Sequence, residues 1–268
     1  MFADFERIAK ILEQLPDGKL AIAFSGGVDS VTLARASEIV LGKENILLLI
    51  ADSAFAPSGE KNFAGQWAEA RKLACIKVPF APLQDALIAK NDPQRCYYCK
   101  KAMFTALKNA ALERGFNVLA DGENLDDAAD YRPGRRAADE LNIRHIFVEA
   151  KLDKAMIRDL AHDFALPNGQ APASACLASR IPCGTAITAE ALSKVDAAEQ
   201  ALLAMGFSTV RVRCYGDLGK IEVDTSDLNK LWNCRSEVLA VLQKAGFKRA
   251  ALDLQGYERG AVNGASEA

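Results

Sequence analysis

Histidine is scarce in this chain, with two among 268 residues, His145 and His162. Neither has a partner at ligand spacing, which disfavours a zinc module built on a histidine pair. Apolar runs are short: none reaches 18 residues, so no transmembrane helix is expected. Residues 1–14 carry charges throughout and read as an amphipathic helix, without the basic-then-apolar layout of a signal peptide. A basic excess is missing as well. The formal net charge is -2, which argues against a long nucleic acid as partner. There is no solenoid-period repeat and no low-complexity tract. A cytoplasmic chain with seven cysteines is then expected to use them for metal or catalysis rather than for a disulfide framework.

The chain holds 50% hydrophobic residues, enough for a sizeable core. Apolar runs at 19–24, 46–51, 76–80, 118–121 and 146–149 read as strands. They alternate with helical patterns at 30–41, 67–74, 98–113, 134–141 and 154–165. That alternation predicts an α/β fold with a doubly wound parallel sheet over residues 1–170. Ligands of such sheets sit beyond the carboxyl ends of the strands, so the loops after Phe24, Ala51, Asp121 and Glu149 should converge. A Pro-, Ala- and Ser-rich break follows, giving an interdomain cysteine loop over 171–188. Helices at 189–205 and 231–245 and strands at 209–215, 220–223 and 250–254 predict a smaller C-terminal α+β domain over 189–260, with an antiparallel hairpin. A polar tail, 261–268, is expected to be disordered.

The loop Ser25-Gly26-Gly27-Val28-Asp29-Ser30 joins a buried strand to a helix. Gly26 and Gly27 permit positive φ and close approach of a phosphate, and the helix start offers unpaired N–H groups. Ser25 and Ser30 add hydroxyl donors. Asp29 would repel a bare phosphate, which implies Mg2+ between carboxylate and phosphate. The loop is neither a Walker A sequence nor a dinucleotide fingerprint. A plain Gly-Gly turn would explain neither the serines nor the aspartate. SGGVDS resembles the pyrophosphate loop of the PP-loop ATP pyrophosphatases, which release pyrophosphate from ATP and attach AMP to a substrate. Asp52 and Ser53 fall where that superfamily contacts the nucleotide; read alone they are a turn.

Cys96 and Cys99 form C-x-x-C at a helix start flanked by Arg95, Lys100 and Lys101, a setting that favours thiolates. The pair fits half a zinc site, a redox dithiol or two ordinary cysteines. Cys176, in the break near Arg180, is a candidate nucleophile or a third ligand. Three thiolates would hold a 4Fe-4S cluster with one iron open to sulfide. Cys75, Cys214 and Cys234 read as small buried hydrophobes. Cys183 lies a loop away from Cys176.

Several segments together resemble the LarE sulfur transferases: SGGVDS (25–30), RCYYCKKAMF (95–104), DGENLDDAADYRPG (121–134), PASACLASRIPCG (172–184) and TVRVR (209–213). The resemblance covers residues 5–260. It implies an enzyme that adenylates a pyridinium carboxylate and converts it to a thiocarboxylate, in making the nickel-pincer nucleotide cofactor. It further implies a small nucleotide substrate, sulfide or another sulfur donor, and a homo-oligomer. Some members sacrifice the cysteine matching Cys176, whereas those with two extra cysteines use a 4Fe-4S cluster; Cys96, Cys99 and Cys176 match the second kind. The family match places Arg211 and Arg213 near the substrate phosphate and Glu199 and Glu222 in catalysis or at a second metal. Arg180 is expected to hold ATP phosphates, and Asp126, Asp127, Asp130 and Arg132 to face the nucleotide. One departure is Cys183, where the family has tyrosine. As a fourth thiolate it would close the open iron. Two other classes compete: a PP-loop tRNA thiolase, which should carry a basic face, and an ammonia-dependent amide ligase, which needs no cysteine trio.

Overall fold

The computed structural model describes residues 2–129, 133–169 and 175–258. Asp130, Arg132, part of the predicted cysteine loop and the predicted disordered tail lie outside the described residues. The chain divides into two compact units. Unit 1 comprises Met1–Ser53, Ser58–Pro82 and Gln94–Ser174, and unit 2 comprises Ala54–Pro57, Leu83–Pro93 and Ala175–Ala268. No helix among the described residues is long and apolar enough to cross a membrane.

Unit 1 runs α1 (Phe2–Glu13), β1 (Leu20–Ala23), α2 (Val28–Leu41), β2 (Ile46–Asp52), α3 (Ser58–Arg71) and β3 (Cys75–Pro79). After the short α4 (Ala86–Ala89) of unit 2 it continues with α5 (Arg95–Leu112), β4 (Leu119–Ala120), α6 (Leu125–Ala129), α7 (Pro133–Glu140), α8 (Ile146–Glu149) and α9 (Lys154–Asp163). The strands form a four-stranded sheet in the order β3-β2-β1-β4, parallel at every pairing. Alternate side chains of a strand point to opposite faces. Leu20, Ile22, Ile46, Leu48 and Ile50 therefore join one core with α1, α2 and α9, while Ala21, Leu47 and Leu49 join another with Phe104 and Leu107 of α5. A sheet covered on both faces needs strands apolar at nearly every position, which is why residues 46–51 show no alternation.

One expected strand is absent. Residues 146–149 form the single turn α8, and the sheet gains only an isolated bridge between Ala120 and Arg144. A four-residue apolar run does not separate strand from buried helix by periodicity. Here Ile146, Phe147 and Ala150 are the buried positions, a helical i, i+1, i+4 spacing. The loop after Glu149 therefore follows a helix, not a strand.

Unit 2 contains α10 (Ala189–Ala204), β5 (Val210–Tyr215), β6 (Leu218–Val223), α11 (Leu228–Asn233), α12 (Arg235–Lys244) and β7 (Arg249–Leu252). β5 and β6 are the expected antiparallel hairpin, and β7 adds in parallel beside β6. The predicted helix 231–245 is two helices, broken at Cys234.

Candidate functional site

In unit 1 the loop between β1 and α2 is shaped around one glycine. Gly26 has φ +85°, and a Cβ there would lie 2.9 Å from the Glu60 carbonyl oxygen and 3.0 Å from the Ala64 Cβ of α3. Gly27, at φ -68°, needs no such freedom; it caps α2 without a side-chain bond, leaving the helix-start N–H groups open. Ser25 and Ser30 hydroxyls lie 3.3 Å apart, and Ser30 donates to the Gly27 carbonyl at 3.0 Å. The buried Asn168 amide donates to the Gly26 carbonyl at 3.0 Å. Gly26→Ala is expected to lower stability by about 1–3 kcal/mol, through left-handed strain and overpacking against α3. Thermal denaturation checks it.

Asp29, in the first turn of α2, has a partner that the sequence did not suggest. Lys154 Nζ lies 2.6 Å from both of its oxygens. Burial pushes the Asp29 carboxyl up, against the pull of the Lys154 ammonium. Asp127 adds a second negative charge in its field, whereas Asp126 accepts from the Lys154 backbone N–H at 3.2 Å. Lys154 opens α9, where the helix dipole disfavours a cation, and that placement was the legible signal for a special role. Asp52, at the end of β2, and the Ser53 carbonyl both accept from Lys61.

The structure places the C-x-x-C inside the first turn of α5, because this helix starts at Arg95 rather than at residue 98. An i, i+3 pair shares one side of a helix. Cys96 is exposed and Cys99 half-buried. Arg95 Nη2 lies 3.2 Å from Cys96 Sγ. Between the cysteines, buried Tyr97 donates to Glu140 of α7 at 2.8 Å, and Lys101 bonds to both. This clamp fixes how the turn sits on α7.

In unit 2, Cys176 is exposed and leads into a 3-10 turn over Leu177–Arg180. The turn is tied to the segment after β2 by Leu177 N–H donating to the Phe55 carbonyl at 2.8 Å. Beneath it lies a buried ionic frame. Arg180, 1% exposed, is bidentate to Glu199 at 2.9 and 2.8 Å. Its Nη1 donates to the Ala175 carbonyl at 2.7 Å and the Cys176 carbonyl at 3.2 Å. Glu199 also accepts from Val212 N–H at 2.8 Å. Arg213 donates to Glu222 at 2.9 Å and to the Ser179 carbonyl at 2.9 Å, and Lys220 pairs with Glu222 at 3.0 Å. Arg211 and Arg213, two apart on β5, are both buried, unlike ordinary solvated strand arginines. Arg211 lies over the Tyr257 ring, and burial together with the nearby Arg180 lowers its pKa. Cys183 is exposed, its thiol 3.4 Å from the Asn91 carbonyl.

No protein-family model matches the chain. It is 34% identical over 245 residues to the pyridinium-3,5-bisthiocarboxylic acid mononucleotide synthase of Lactiplantibacillus plantarum, covering 91% of this chain and 89% of that one. An uncharacterized protein of Synechocystis is 34% identical over 244 residues, covering 90% and 91%. The tRNA(Ile)-lysidine synthase of Bdellovibrio bacteriovorus is 29% identical over 126 residues, 45% of this chain and 37% of its own, and this match supports the PP-loop assignment of the parallel sheet.

Proposed function

The chain belongs to the LarE family of pyridinium-3,5-bisthiocarboxylic acid mononucleotide synthases, and on that footing we propose that it activates a pyridinium carboxylate with ATP and replaces one carboxylate oxygen by sulfur. A carboxylate is a poor acyl donor. Attack of its oxygen on the α-phosphorus of ATP breaks the bond to pyrophosphate and yields an acyl adenylate. A sulfur nucleophile then attacks the acyl carbon, and AMP leaves with the former carboxylate oxygen. The observation that carries this reading is an exposed Cys176 whose flanking carbonyls are held by a buried arginine.

The residues of unit 1 fit the nucleotide half. The glycine cradle at Gly26 and the open start of α2 suit a polyphosphate, and Lys154 supplies a cation beside them. Asp29 would hold Mg2+, which supplies charge neutralisation at the phosphates. Ser25, Gly27 and Ser30 line the same loop, with Asp52 and Ser53 on the nucleoside side. Asp29→Asn is expected to slow pyrophosphate release by about 10²–10³-fold, read by ATP–pyrophosphate exchange.

In unit 2 we assign Arg211 and Arg213 to the substrate phosphate. Arg180, Glu199 and Glu222 serve as positioning residues: Glu199 holds Arg180, which grips the backbone at Cys176, and Glu222 holds Arg213. Cys96, Cys99 and Cys176, none of them in a disulfide, would supply the three thiolates that hold a 4Fe-4S cluster. Such a cluster would supply exogenous sulfide, so that one chain could turn over repeatedly. Seven cysteines outside any disulfide suit a cytoplasmic setting.

The test combines the anaerobically purified protein with ATP, Mg2+, sulfide, ammonia and pyridinium-3,5-biscarboxylic acid mononucleotide. The expected result is AMP, pyrophosphate and a product in which sulfur has replaced oxygen. Amide formation with ammonia in its place would overturn the reading. The double variant of Cys96→Ser and Cys99→Ser is expected to lose its iron on anaerobic purification and to stop at one sulfur or fewer per chain. Iron analysis and intact-mass measurement of Cys176 read that outcome.

A further inference from the structure

Behind the phosphate loop, unit 1 holds a cluster to which the proposed reaction assigns no role. Asp121 closes β4, Glu123 follows two residues later, and His145 caps α8. One potential ligand atom from each lies within 4.8 Å of the others. His145 Nδ1 is 2.7 Å from Asp121 Oδ1, and this oxygen also accepts the Glu123 backbone N–H at 3.1 Å. The other ring nitrogen, Nε2, is buried and has no hydrogen-bond partner, and neither has Glu123 Oε1. The two side chains are only 9% and 8% exposed. Asp139 brings a further carboxylate oxygen to 3.7 Å from Nε2.

A buried polar atom left without a hydrogen bond keeps its full desolvation penalty, and here two are so left, so the arrangement calls for an occupant. A carboxylate on one imidazole nitrogen, with the opposite nitrogen bare, is the pattern by which proteins orient a metal-ligating histidine. Donors each about 2.0–2.1 Å from a tetrahedral ion stand about 3.3 Å apart, close to the 3.7 Å between Asp139 and Nε2. An imidazole among carboxylates suits zinc and its first-row neighbours, whereas magnesium prefers an all-oxygen shell. Lys100 at 3.9 Å and Arg135 at 3.5 Å partly neutralise Glu123, but neither makes a hydrogen bond to Oε1. We propose that His145 Nε2 and Glu123 Oε1 bind a divalent transition ion of the zinc type, with Asp121 orienting the histidine and the exposed Asp139 at the rim of the site.

The site would brace the nucleotide loop. Gly122, between two of its members, packs so closely on α2 that a Cβ would lie 3.0 Å from the Asp29 Cβ and from the Ser30 backbone nitrogen. An ion fixing residues 121–123 would fix that contact, and this role is independent of the sulfur donor.

The chain's two histidines make the test direct. Ring-nitrogen NMR of 15N-labelled protein, titrated with Zn2+ beyond the capacity of its cysteines, reports on His145, with His162, 82% exposed, as internal reference. The expected result is a saturable shift of the His145 ring to its metal-bound position while His162 stays in place. Glu123→Gln should weaken that binding by about 10–100-fold. A His145 ring that ignores excess zinc and answers only to pH would overturn the proposal, leaving an imidazolium–carboxylate cluster. A shift unchanged by Glu123→Gln would overturn it equally. The wild-type titration stands even if that variant does not fold.

Discussion

Cys176→Ser is expected to abolish sulfur transfer, by on the order of 10⁴-fold, while ATP–pyrophosphate exchange persists. The split follows from where the two chemistries reside. On the proposed reading adenylation needs the loop of unit 1, whose bonds run among Ser25, Gly26, Gly27, Ser30, Asn168, Asp29 and Lys154. None of these residues belongs to the frame around Cys176. Serine is nearly isosteric with cysteine and keeps the backbone that Arg180 grips, so the 3-10 turn should survive. A hydroxyl neither binds iron as thiolate does nor carries sulfur to give, so both routes to the thiocarboxylate fail at this one atom. Rapid-quench analysis should show the acyl adenylate accumulating and then hydrolysing to AMP. Full transfer by the serine variant would remove Cys176 from the reaction. Loss of exchange as well would instead tie it to nucleotide binding.

Much of this arrangement was legible in the sequence, for physical reasons that also mark its limits. The sheet strands were visible because a core buried on both faces demands continuous apolar runs, as at residues 46–51. Residues 146–149 deceived because four apolar residues fit a strand and a helix turn equally well. Gly26 was legible because a buried strand that turns at once into a helix through two glycines calls for positive φ at the turn. The cysteine trio and the β5 arginines were seen as patterns, yet the sequence could not tell that Arg180 and Arg213 would be buried against Glu199 and Glu222. Glu199 lies 19 residues from Arg180 on another element, and Glu222 faces Arg213 across a hairpin whose register the sequence left open, so neither pairing leaves a periodic trace. Lys154, Asn168 and the His145 cluster were missed for the same reason. Each acts through a single contact between distant segments, although a lysine opening a helix was a local anomaly worth pursuing.

Glu199→Ala should produce the largest loss of stability in unit 2, about 3–5 kcal/mol. Removing one partner of a buried pair leaves the other charge with neither water nor counter-ion, and Arg180 and Glu199 side chains are 1% and 6% exposed. The carboxylate has a further duty. β5 is an edge strand, and Glu199 caps the outward N–H of Val212, a donor with no strand beyond it. Replacing both charges, with Arg180→Met and Glu199→Leu together, should recover part of the loss, because well-packed apolar substitutes for a buried pair are often neutral or better. The recovery should stop short, since the Val212 N–H and the Ala175 carbonyl lose their partners at about 1–3 kcal/mol each. Guanidinium denaturation measures these differences. The double variant then separates stability from placement. If the frame serves to aim Cys176, sulfur transfer should stay about 10²-fold below wild type in a folded chain, because misplacing a reacting group by 1 Å costs that much. If transfer returns with stability, the arginine and glutamate hold unit 2 together and do nothing more.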